Sequence, residues 1–84
     1  MKKTKKKAKG KKLDLHSIDV RVGKRIKEIR LLREMSQKDL AEQIGVRFQQ
    51  VQKYETASNR VSASRLFVIA KALDVGVEEL FGKG

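Results

Sequence analysis

The chain has 84 residues, with 21 lysines and arginines against 10 acids and a net charge of +11. That length allows one small domain, and the charge favours a polyanionic partner, nucleic acid first and an anionic membrane surface second. Without cysteine there is no disulfide framework and no thiolate metal site, and no apolar run approaches membrane-spanning length.

Residues 1–12, MKKTKKKAKGKK, hold eight lysines and no acid. Charges that dense repel one another and have nothing apolar to pack on, so the stretch reads as disordered. It is either a solubilising tail or a basic arm that follows a nucleic-acid backbone. Residues 13–84 carry 13 basic and 10 acidic residues, so the remainder is only +3. We divide the chain into a tail and linker over 1–18 and a folded domain over 19–82. His16, the one histidine, has no second ligand or nucleophile nearby and reads as a linker residue.

A first helix is expected from about Val20 to Glu34, capped by Ser17 or Asp19. Val22, Ile26, Ile29 and Leu32 form its apolar stripe. Its basic residues, Arg21, Lys24, Arg25, Lys27, Arg30 and Arg33, read mostly as a solvated face. Met35 closes that helix against the core. Ser36 caps a second helix, with Asp39 completing a capping-box pattern. Gln37 then lies at a helix N-terminus, where free amides and the dipole favour a phosphate. Leu40, Ala41 and Ile44 make the inward face, and Gly45 stops the helix as a residue with positive φ.

A third helix follows Val46, from about Arg47 to Glu55. Val51 and Tyr54 point inward. Arg47, Phe48, Gln49, Gln50, Gln52 and Lys53 remain as a largely outward surface without acid. Such a face suits a major groove. Arg47 can pair with guanine and Gln49 with adenine, with Gln50 and Lys53 as further base contacts. Phe48 either packs on a thymine methyl or folds back onto the core or a neighbouring protomer. Thr56 to Val61 is a polar loop. Ser62 or Ser64 starts a fourth helix with Leu66, Ile69, Ala70 and Leu73 inward. Asp74 to Gly76 break it, and a last short helix spans Val77 to Phe81.

Small Ala41, Gly45 four residues on and Val51 six beyond give a spacing that resembles the helix-turn-helix domains of the Cro and phage-repressor family, also called xenobiotic-response-element-type regulators. The resemblance runs from Val20 to Phe81 through SQKDLAEQIG, VRFQQVQKYE, SRLFVIAKALDV and VEELF. It implies an all-α, compact, five-helix, lambda-repressor-like domain. It further implies an ion pair between Arg30 and Glu55 that holds the arginine near a phosphate. Backbone phosphate contacts are implied for Gln37, Lys38, Asn59 and Arg60, and a two-fold dimer contact for Val77, Leu80 and Phe81. Two departures stand out. The position of Phe48 is often polar in the family, and relatives often have glycine just after the glutamate, where this chain has Thr56 and Ala57.

The function so implied is a sequence-specific, DNA-binding transcription regulator. Most simply it is a repressor, acting as a homodimer on a near-palindromic operator in double-stranded DNA. An antitoxin that represses its own operon is a variant. The alternatives are a non-specific nucleoid or RNA-binding protein driven by the lysine tail, and a protein-interaction module. The expected setting is a bacterial or phage-encoded, cytoplasmic, nucleoid-associated protein. An enzyme fits worst. The sequence offers no catalytic constellation, no phosphate loop and no acid cluster spaced for a metal, and it suggests no cofactor, small-molecule ligand or membrane contact.

Overall fold

The computed structural model describes residues 14–82, and the lysine tail lies outside them. Four α-helices follow in order: α1 (Leu15–Leu32), α2 (Gln37–Ile44), α3 (Phe48–Glu55) and α4 (Ala63–Leu73). A 3-10 helix, Val77–Phe81, ends the described chain. No strand occurs among the described residues, and no helix there is long and apolar enough to cross a membrane.

α1 begins more than a turn earlier than its apolar stripe suggests. Asp14 is the cap, its Oδ1 accepting from the Ser17 amide at 3.4 Å, so Ser17 and Asp19 lie inside the helix and His16 is helical. Ser36 and Asp39 exchange both bonds of a capping box at the start of α2, at 2.8 and 2.9 Å. The Ser36 backbone amide, then its side chain, hold the Asp39 carboxyl below its ordinary pKa. Ser62 caps α4 by accepting from the Arg65 amide.

All four α-helices stop in the same way. One residue turns left-handed and the next amide closes back onto a carbonyl five residues earlier. The left-handed residues are Glu34, Gly45, Ala57 and Asp74, with φ of 59°, 74°, 63° and 59°. The closing amides are those of Met35, Val46, Ser58 and Val75. Three of these four, Met35, Val46 and Val75, also press their side chains on the core.

The core gathers Val22, Ile26 and Ile29 of α1, Leu40, Ala41 and Ile44 of α2, Val51 and Tyr54 of α3, and Ile69, Ala70 and Leu73 of α4. Leu80 of the 3-10 helix completes it, with no exposed surface. α1 packs on α3 and the 3-10 helix, while α2 packs on α3 and α4.

Two expectations are corrected here. The fifth element is a 3-10 helix and not an α-helix, so the described residues hold four α-helices rather than five. It is five residues long between Gly76 and Gly82, too short for an i to i+4 ladder. Its carbonyls are taken by α1 instead: Arg25 Nε donates to Glu79 O at 2.9 Å, and Arg21 Nη1 reaches Phe81 O. Second, Leu80 belongs to the protomer core and has no face to give a partner. Val77 is half-buried on that core, and Phe81 is 39% exposed.

Candidate nucleic-acid interface

The site is built on the corner between α2 and α3. The amides of Gly45 and Val46 both fold back to Ala41 O, and Arg65 of α4 donates to Ile44 O at 2.7 Å. Both free ends of α2 are therefore closed, and the next helix starts at a fixed angle. An added Cβ at Gly45 would meet nothing within 4 Å; glycine is needed there for its φ and not for room.

α3 turns Val51, Tyr54 and Glu55 inward. Arg47, Gln49 and Lys53 are exposed and Gln50 half-buried; these four, with Val46, line an open concave patch. Phe48 lies on the flank of that patch, one turn from Gln52, and is 40% exposed. Arg47 precedes the helix, and no side chain caps the first amides of α3.

The angle of α3 is held by a buried carboxylate. Glu55 Oε2 accepts from Arg30 Nε at 2.7 Å and Oε1 from Arg30 Nη2 at 3.0 Å. Gln37 Nε2 donates to the same Oε1 at 3.0 Å. Arg30 Nη1 goes to Met35 O at 2.9 Å. The last turn of α1, the first residue of α2 and the last of α3 thus meet at one group. Arg30 and Glu55 are only 6% and 8% exposed, which leaves the guanidinium almost no face for a phosphate. The guanidinium ties the end of α1 to the end of α3.

Gly23 does similar work by having no side chain. A Cβ at Gly23 would lie 2.6 Å from both Tyr54 O and Glu55 O. The bare Cα lets the end of α3 rest directly on α1. A glycine between Val22 and Ile26, inside a strong apolar stripe, is the signal that could have revealed this contact.

The remaining residues expected at phosphates are less tightly placed. Lys38 is exposed at the start of α2, and Asn59 is exposed in the loop, its amide on Lys53 O. Arg60 Nε is engaged by Asp19 at 3.0 Å, yet its side chain is 65% exposed. The basic residues of α1 divide. Lys24 and Lys27 are solvated, whereas Arg21, Arg25 and Arg33 bind backbone carbonyls of the C-terminal half, Arg33 at Leu73 and Asp74. Of seven arginines, Arg47 is the one whose side chain has no hydrogen-bonded partner among the described residues. Those residues hold no group of three histidines, cysteines or acids able to bind a metal.

The profile of the helix-turn-helix family matches residues 26–80, the span that contains this corner and the Arg30–Glu55 pair. The chain belongs to the Cro and phage-repressor branch of that family. Among helix-turn-helix relatives, it is 49% identical over 67 residues to an uncharacterised transcriptional regulator in the ATPase CF(0) region of Rhodospirillum rubrum, covering 80% of this chain and 62% of the relative. It is 47% identical over 73 residues to an uncharacterised HTH-type transcriptional regulator of Rickettsia conorii, covering 86% of this chain and 58% of the relative. The chain thus spans less than two thirds of these relatives. The crystal structure of the restriction-modification controller protein C.AhdI from Aeromonas hydrophila superposes with a TM-score of 0.71 at 34% identity, over 74% of this chain and 94% of the other. The hypothetical transcription factor NHTF from Neisseria shares the helix-turn-helix fold, with a TM-score of 0.74 at 22% identity over 84% of this chain and 82% of that one.

Proposed function

We propose that the protein is a sequence-specific DNA-binding transcription regulator, most simply a repressor that blocks its operator sterically. The observation that carries this reading is Arg47. The other six arginines are engaged in the fold, and the unengaged one stands at the head of α3 beside Gln49, Gln50 and Lys53. A guanidinium and carboxamides on one open face supply the donor and acceptor pattern that base edges require in the major groove. Arg47 pairs with guanine and Gln49 with adenine, while Gln50 and Lys53 extend the contact. Gln37, Lys38, Asn59 and Arg60 fix the register on phosphates.

In this reading the operator is a near-palindrome. A homodimer sets two copies of α3 in successive major grooves, about 34 Å apart. Phe81, which meets Ile18, Val61 and Leu66 in a notch, and half-buried Val77 supply apolar surface for the two-fold contact. The lysine tail adds affinity along the backbone without reading sequence. Selection of bound duplexes from a random pool, with the full chain and with a chain lacking residues 1–12, tests this. An inverted repeat recovered by both, with half-sites about one helical turn apart, is the expected result. No motif from the full chain, and no binding without the tail, would leave a non-specific lysine-driven binder.

A further inference from the structure

Phe48 is the one exposed apolar side chain of α3. Gln49, Gln52 and Lys53 are exposed on α3 around it, and Arg47 precedes it. It is 40% exposed and is not among the side chains packed on the core. The phenyl ring thus keeps an open apolar face at the first turn of this helix. In the major groove it meets one apolar group, the C5-methyl of a pyrimidine. The preceding residue, Arg47, carries the unengaged guanidinium, whose matching base is guanine.

We infer that Phe48 is a specificity-determining residue that recognises a pyrimidine C5-methyl beside the guanine read by Arg47. This rests on the DNA-binding reading above and deepens it by naming the chemical group. Thymine and 5-methylcytosine present the same methyl in the groove, and uracil and cytosine lack it. The ring reads the methyl and not the pairing edge, so the site responds to cytosine methylation wherever a cytosine stands at that step.

The test uses the full chain and the half-site recovered by selection. Each thymine is replaced singly by deoxyuridine, which removes only the methyl. At one position next to the guanine, affinity falls about three- to fivefold, the worth of one buried methyl-sized group. Cytosine and 5-methylcytosine at that same position differ in the same direction. In Phe48→Ala both differences disappear while the helical fold, read by circular dichroism, is retained. Equal binding of thymine and uracil duplexes at every position overturns the inference and leaves the regulator reading intact. So does a methyl preference that survives in Phe48→Ala, or a variant that loses self-association instead. Failure of the selection to yield any motif overturns both readings together.

Discussion

Arg47 and Ala57 bracket α3, and they carry opposite consequences for stability. Arg47 is exposed and touches no acceptor among the described residues, so its loss leaves the fold alone, within about 0.5 kcal/mol. Arg47→Ala therefore weakens operator binding by about 1–3 kcal/mol and relaxes specificity at one base pair. Titration of duplexes varied at that pair, with urea unfolding alongside, checks both halves. Ala57 sits at φ 63°, in the turn that closes Ser58 N onto Lys53 O. A left-handed conformation costs an L-residue roughly 1–2 kcal/mol. Glycine's larger freedom in the unfolded chain offsets roughly 0.4–1 kcal/mol of that. Ala57→Gly is thus expected to stabilise by about 0.5–1 kcal/mol, read as a higher urea midpoint at unchanged slope. The departure noted in the sequence at Thr56 and Ala57 thus puts a residue with a Cβ at a left-handed position.

Among the elements, α1 and α3 depend on the closest contact. Gly23→Ala places a methyl 2.6 Å from two backbone oxygens, and neither can swing aside as a side-chain tip would. Overpacking of this kind costs about 1–3 kcal/mol. The shift falls on Tyr54 and Glu55, so calorimetry should show a lower Tm and operator affinity should fall with it. Periodicity made α2, α3 and α4 legible, because Leu40, Ala41, Ile44, Val51, Tyr54, Ile69 and Leu73 repeat at helical spacing and end up buried. The capping box was equally plain in Ser36 and Asp39. The start of α1 was not: Leu15 is exposed, and no apolar stripe announces a first turn held by one aspartate. The arginines of α1 were opaque for another reason. Arg21, Arg25 and Arg33 look alike in a sequence, and only the packed C-terminal half supplies the carbonyls they bind. Nor does spacing show that Leu80 turns inward while Phe81, its neighbour, does not.

For the whole molecule, charge is divided between two parts of the chain. Residues 1–12 hold eight lysines, and residues 13–84 are only +3. Each phosphate neutralised by the tail adds about 0.9 to the slope of log affinity against log salt. Removing residues 1–12 is therefore expected to flatten that slope while the selected motif stays the same, which binding isotherms at several salt concentrations will show. The division has a second side. Six of the seven arginines are hydrogen-bonded through their side chains within the described residues. A reagent selective for guanidinium, such as a 1,2-dicarbonyl, thus meets Arg47 without a side-chain partner among the described residues, and Arg60, 65% exposed and held only through Nε, as the next open target. Peptide mapping should find the adduct first at Arg47 and should find it suppressed by operator DNA. Arg47 is thus a chemically addressable handle at the head of α3, with no side-chain hydrogen bond to break before it reacts.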